Sequence, residues 1–181
     1  MWIGCDDMPR QAKKPFYVKL LVDDREKNNW ANKIKLDKQL GNDKVWIKEI
    51  ETKRLKTGDT EVWIKRDLDG EYEKIPLLIE NKVGSDIFST IVSNWARFKD
   101  ELKRADGQVL YIIHNWSFND IKTQIKSLQK MRRIGYKTNY FKVFIDRYLE
   151  INENAILIYC EEENYNELIR RIIKKYLKKV K

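Results

Sequence analysis

Two short runs joined by a turn constrain this chain more than any other feature. Thr60-Glu61-Val62-Trp63-Ile64-Lys65 alternates like a strand, Asp69-Gly70 marks a tight turn, and Ile75 to Glu80 returns as an apolar run. A hairpin folded that way sets Asp59, at the start of one strand, beside Glu80, at the end of the other. The returning run reads Leu77-Leu78-Ile79-Glu80-Asn81-Lys82. Side chains in a strand alternate faces, so Glu80 and Lys82 point one way and Asn81 the other. An acid and an ammonium are thereby aimed side by side at the end of a buried strand.

Two carboxylates from adjacent strands, with a lysine on their face, make an oxygen-rich site of the kind that holds Mg²⁺. Phosphodiester hydrolysis wants that set: the acids for a divalent cation, the lysine for orienting or deprotonating water. Glu-x-Lys alone is a weak signal, because in a chain that is 36% charged it recurs by chance. The hairpin that brings Asp59 to it is what raises its weight.

The remaining elements follow the same reading. Phe16 to Val22 is a buried strand that stops at Asp23-Asp24-Arg25-Glu26, and charged residues just past an apolar strand are what α/β sites are built from. Asn28 or Asn29 caps a helix through Trp30, Ile34 and Leu40 that Gly41 ends. Val45 to Ile50 is a second strand, and basic Lys53, Arg54 and Lys56 lead from it into Gly58-Asp59. Ser85 or Asp86 caps one helix whose apolar stripe is Ile87, Ile91, Trp95, Phe98 and Leu102. Val109 to Ile113 is a strand. Ser117 with Asp120 forms a near capping box for a helix that breaks near Gly135, and a further helix spans about Thr138 to Leu149. Ala155 to Cys160 is the last strand, before an amphipathic helix marked by Tyr165, Leu168, Ile172, Tyr176 and Val180. Strands alternate with helices, so a layered α/β fold is expected. The 181 residues, 42% of them hydrophobic, suffice for one domain, with residues 1–14 as a flexible leader and 15–181 as the folded part.

Charge and cysteine usage narrow the class further. A formal net charge of +9 favours a polyanionic partner, nucleic acid first. No apolar run is long enough to span a bilayer and no secretory segment is visible at the N-terminus, which places the protein inside the cell, cytoplasmic or nucleoid-associated. Cys5 and Cys160 suggest no disulfide framework, and Cys160 is expected to be a core thiol. From Lys126 to Lys142, the basic residues Lys130, Arg132, Arg133 and Lys137 alternate with Tyr136, Tyr140 and Phe141. That mixture suits phosphate contact with base stacking, or else a core flank with solvated charges. The single histidine, His114, reads as a satisfied sheet-end residue.

The order of these motifs resembles the nuclease domain of the XPF/Mus81/Hef-type structure-specific endonucleases, in the PD-(D/E)XK superfamily. Val22-Asp23-Asp24-Arg25-Glu26, Leu55-Lys56-Thr57-Gly58-Asp59, Glu80-Asn81-Lys82 and Asp86-Ile87 follow that family's pattern in order, and Thr90-Ile91 and Arg97-Phe98 continue it. The likeness is tight from residue 20 to about 104 and extends by element order through a basic helical region, 117–150, to the last strand and helix, 155–180. Thr60, Asn81 and Glu101 depart from the pattern, standing in place of an aromatic residue, an arginine and a glutamine. On this resemblance, loss of the arginine at position 81 removes a fixed cation able to pair with the carboxylates or with DNA phosphate.

The resemblance implies a restriction-endonuclease-like mixed β-sheet flanked by helices, and hydrolysis of DNA, branched, forked or flapped, with Mg²⁺ or Mn²⁺. Asp59 and Glu80 would ligate the metal, Asp23 would do so directly or through water, and Lys82 would orient water or steady the charge of the transition state. Arg25 and Glu26 would hold the carboxylates and the scissile phosphate in place. Arg54, Lys56, Arg97, Arg132, Arg133 and Lys137 would meet nucleic acid. Relatives pair as homodimers. Because only Gly135 follows Gly107, no tandem helix-hairpin-helix elements can be written in this chain. Branch selectivity then falls to the nuclease surface, to dimer geometry or to an accessory protein. The competing readings are a non-catalytic DNA-binding scaffold of the same fold and a Holliday-junction resolvase.

Overall fold

A computed structural model of the chain describes residues 16–25, 34–36, 45–105 and 107–179. The expected leader, Cys5, Glu26, Val180 and most of the helix expected around Trp30 to Leu40 lie outside the described residues. Six strands form one sheet: β1 (Phe16–Asp23), β2 (Val45–Lys53), β3 (Thr60–Lys65), β4 (Glu73–Lys82), β5 (Val109–His114) and β6 (Ile156–Tyr159). Their order across the sheet is β2-β1-β3-β4-β5-β6. β1 and β4 both run antiparallel to β3, whereas β2 is parallel to β1, and β5 and β6 continue parallel to β4. The sheet is mixed, as expected.

Why the middle strands read as near-continuous apolar runs is clear from the two layers that cover them. On one side Val18, Leu20, Ile47, Val62, Leu77, Ile79 and Ile113 pack in one cluster with Tyr165, Ile169, Ile172, Ile173 and Tyr176 of helix α5 (Tyr165–Lys179). Leu78, Leu110 and Ile112 belong to a second cluster with Ile87 and Phe88 of α1 (Asp86–Phe88), Ile91, and Phe98 of α2 (Trp95–Arg104). Ile121 and Ile125 of α3 (Phe118–Lys130) and Phe144 of α4 (Tyr140–Ile151) complete that layer. Thus Leu77 and Ile79 face α5 while Leu78 faces α1 to α4, the alternation of a strand buried on both sides.

Several boundaries differ from the sequence reading. The single helix expected after Ser85 is two helices with a π-helical turn, Ser89–Ser93, between them. Asn94, at φ −112°, breaks the path, and Arg147 Nη1 donates to the carbonyls of Ile91 and Val92 at 2.9 Å each. Those carbonyls would otherwise be left over where the regular ladder is interrupted. The apolar stripe survives because Ile87, Ile91 and Phe98 stay buried with Trp95 and Leu102 half-buried. Ser85 does precede α1 but makes no side-chain cap, since its own backbone is already helical. The Ser117–Asp120 capping box forms in full.

The break of α3 comes at Met131, ahead of Gly135. Arg132 takes a left-handed conformation, φ 53°, and the N–H groups of Arg132 and Arg133 donate to the carbonyls of Gln129 and Leu128. This is the two-bond closure usually given to glycine, and an arginine occupies its left-handed position. α4 then starts behind Asn139, whose side chain accepts from Lys142 N–H. Cys160 is a buried free thiol, as expected.

Candidate active site

The topology explains how distant segments meet. With β1 and β4 antiparallel to β3, the end of β1, the start of β3 and the end of β4 lie side by side: Val22 faces Thr60 and Thr60 faces Ile79. The ladder extends one step beyond the strands, Asp23 N–H donating to Asp59 carbonyl at 2.8 Å and Asp59 N–H to Ile79 carbonyl at 3.0 Å. Gly58 sits beneath this junction at φ +72°, a left-handed turn that favours glycine. The result is one open cavity of about 290 Å³ lined by Asp23, Arg25, Lys56, Gly58, Asp59, Glu80, Lys82, Arg97, Glu101 and Arg104.

Each acid is held differently. Asp23 is buried at 4% exposure, and its carboxylate accepts from Arg25 N–H and Nε at 2.8 Å, from Arg25 Nη2, and from Leu55 N–H at 3.2 Å. Arg25 in turn donates to Leu55 carbonyl at 2.8 Å. The Arg25 hydrogen bonds hold the Asp23 carboxyl down to about 2, against the opposing effect of burial. Asp59 accepts from Asn81 N–H at 2.7 Å. Glu80 Oε1 lies 2.7 Å from Lys82 Nζ, and both side chains are mostly buried.

Lys82 is surrounded by acid, with Asp86 3.7 Å away. Burial alone would lower its pKa, yet Glu80, Asp86 and Asp59 outweigh that and hold it above the usual lysine value. These acidic neighbours favour its ammonium form. Its Nζ also stands 5.9 Å from the centre of the Phe98 ring, which closes the inner side of the site.

Asn81 corrects an expectation. Its side chain is on the opposite face of β4, buried, with Oδ1 accepting from Tyr165 hydroxyl of α5 at 2.9 Å. A side chain at position 81 therefore points away from Glu80 and Lys82, and asparagine there takes no cation from beside the carboxylates. Arg97, named above for nucleic acid, and Glu101 both line the cavity, and Arg104, which the sequence reading did not single out, joins them. On α2, Arg97, Glu101 and Arg104 share a face at helical spacing, and Glu101 Oε1 lies 3.1 Å from Arg97 Nε and 4.0 Å from Arg104 Nη2. That i, i+4, i+7 pattern was the signal available.

Other basic residues lie elsewhere. Lys56 lines the cavity, but Arg54 does not and pairs with Asp24 at 3.2 Å. Arg132, Arg133 and Lys137 are exposed in the connection between α3 and α4. Glu26 is outside the described residues. His114 is buried between Trp116 carbonyl and Tyr148 hydroxyl, and burial lowers its pKa. Among the described residues no group of three or more histidine, cysteine or acidic side chains is close enough to hold a metal. Asp59 and Glu80 both line the cavity, and two carboxylates are the number Mg²⁺ typically takes from a protein, water and phosphate oxygens filling the rest of its shell.

Residues 22–174 match the ERCC4 domain. The chain belongs to that family. ERCC4 domains are found in structure-specific DNA nucleases, and the mixed sheet with helices on both faces is the layered α/β architecture expected. No curated protein sequence matches this one. Among solved structures, XPF from Aeropyrum pernix is similar at 14% identity and TM-score 0.47, over 90% of this chain and 68% of that one. The same protein in complex with DNA is similar at 13% identity and TM-score 0.49, over 88% and 65%. The chain thus spans about two thirds of the length of these XPF chains.

The Asp23–Arg25 clasp has a consequence for stability against pH. Because the folded carboxyl is depressed to about 2 from 3.8, its contribution is complete above the unfolded value and is lost as pH falls through about 2. With Arg25 half exposed, that contribution is about 1–2 kcal/mol. Asp23→Asn should therefore be less stable than wild type by that amount in urea unfolding at pH 7, the gap closing near pH 2. An equal gap at both pH values would contradict the assignment.

Proposed function

We propose that the protein is a divalent-metal-dependent DNA endonuclease acting on branched, forked or flapped DNA. The observation that carries this reading is the convergence of Asp59, Glu80 and Lys82 on one cavity in an ERCC4 domain, with Arg25, Arg97 and Arg104 on its walls. Asp59 and Glu80 would hold Mg²⁺ or Mn²⁺, which when bound supplies Lewis acidity at the scissile phosphate and a more acidic water. Lys82, with its Nζ 2.7 Å from Glu80 and on the same cavity, would orient water or meet the negative charge that grows on the phosphoryl oxygens. Asp23, with its carboxylate accepting from Arg25 and Leu55, anchors Arg25 and would reach a bound metal directly or through water. Arg25 then presents a pre-set guanidinium to a phosphate entering the cavity.

DNA is the substrate this reading names, and the XPF structure solved in complex with DNA is consistent with it. It carries with it a homodimer and an accessory protein that assists branch recognition. Purified protein with Mg²⁺ or Mn²⁺ should nick synthetic forks or flaps in preference to linear duplex. Asp59→Ala and Glu80→Ala should each slow cutting by about 100-fold or more, with DNA binding retained. Cutting by neither wild type nor variants on any linear, flapped, forked or four-way substrate, with binding intact, would leave the scaffold reading in its place. Preference for the four-way form would favour the resolvase.

Glu101 gives a separate expectation. It is the acid that Arg97 and Arg104 face, and it competes with phosphate for both. Glu101→Gln, which removes the charge and little else, should raise DNA affinity about three- to tenfold at low salt and steepen its salt dependence. Unchanged or weaker binding would mean that the two arginines do not reach DNA.

A further inference from the structure

A second recess lies between α3 and α4 and shares no lining residue with the cavity of Asp59 and Glu80. It is a groove of about 450 Å³ walled by Lys122, Ile125, Lys126 and Gln129 on one side and by the segment from Tyr136 to Phe141 on the other. Its charge is lopsided: from residue 118 to 142 the sequence holds seven basic residues against one acidic residue, Asp120. Asp120 is itself tied into the cap of α3 by Ser117. Ordinary solvated helix faces mix both signs, so a stretch this one-sided repels itself unless a polyanion meets it.

The aromatic residues divide in a telling way. Tyr140 and Phe141 are half-buried against the helical core cluster, and Lys122 Nζ stands 4.7 Å from the centre of the Phe141 ring. Tyr136 is 72% exposed at the groove's edge. A large ring left in water contributes little to the fold, but it offers a face on which an unpaired base can stack. Lysines along the groove would follow the sugar-phosphate backbone beside it.

Arg132 adds an independent observation. It holds the left-handed position of the α3 terminus, φ 53°, where glycine would be unstrained. Gly135 stands only three residues further on, so the chain places an arginine, at a backbone cost, in a turn that needs none. Folding gives no reason for an exposed cation at that turn, which leads from α3 into the Tyr136–Phe141 wall of the groove.

We propose that the α3–α4 groove binds single-stranded DNA, stacking a base on Tyr136 and holding phosphates with Lys122, Lys126 and Lys137, with Arg132 in the adjoining turn meeting the strand as it leaves the groove. This deepens the nuclease reading by naming the unpaired arm of a fork or flap as the part of the substrate held here, and its binding test stands apart from cutting.

The test is fluorescence anisotropy in EDTA, with an oligo-dT probe of about 16 nucleotides and a blunt duplex of equal phosphate count. Tyr136→Ala should weaken oligo-dT binding about tenfold and the duplex much less, whereas Tyr136→Phe, which keeps the stacking face, should retain affinity. Arg132→Gly should raise the melting temperature by about 2–4 °C while lowering oligo-dT affinity, a combination that a purely structural arginine would not give. Equal losses on both probes would reduce the groove to a nonspecific basic patch and overturn the proposal. So would unaltered oligo-dT binding in Tyr136→Ala. If oligo-dT binding follows the proposal while no substrate is cut with either metal, the groove stands and the nuclease reading falls.

Discussion

The Glu80–Lys82 ion pair at the rim of the sheet is the interaction on which the rest depends. Two charged side chains on one face of β4 are largely withdrawn from water, and taking such charges out of solvent costs several kcal/mol per ion before any partner is met. The attraction between them offsets that cost, with Asp86 and Asp59 adding to it. The pair is therefore a weak source of stability and an expensive feature to keep. Its value lies in placement: an acidic oxygen and an ammonium are fixed 2.7 Å from each other on one face of the strand.

That placement is possible only because β4 obeys strict alternation to its last residue. Leu77, Ile79 and Asn81 serve the α5 layer, with Tyr165 hydroxyl satisfying the amide of Asn81 in an otherwise apolar setting. Leu78, Glu80 and Lys82 serve the other layer, where the hydrophobic cluster gives way to the cavity. A slip of one residue would put Asn81 in the cavity and drive both charges into the α5 core. The antiparallel ladder through β3 pins that register, and the extra hydrogen bonds of Asp59 and Asp23 carry it to the strand ends. Fold and site are in this sense one constraint.

Much of this was legible in the residues. The hairpin, the shared face of Glu80 and Lys82, and the approach of Asp59 follow from period-two alternation and one turn signal, which are local properties. What escaped was tertiary. The α2 helix was visible as an apolar stripe, but that its polar face would bring Glu101 between two arginines at the cavity depends on how the helix crosses the sheet. The π-helical turn before it rests on Arg147, more than fifty residues away, reaching the carbonyls of Ile91 and Val92. The α3 terminus was placed at Gly135 because glycine usually takes the left-handed position, and Arg132 took it instead. Position 81 shows the reverse: the family pattern implied that its missing arginine would pair with the carboxylates or with DNA phosphate, while simple alternation already put the position on the other face.

The central claim is that Asp59 and Glu80 form one cation site beside Lys82. Anomalous diffraction from crystals soaked in Mn²⁺ tests it most directly. The expected result is a single strong peak within about 2.0–2.3 Å of carboxylate oxygens of both Asp59 and Glu80, with Lys82 Nζ still facing the cavity. A peak bound by neither residue, or full Mn²⁺ occupancy in a Glu80→Gln crystal, would contradict the account.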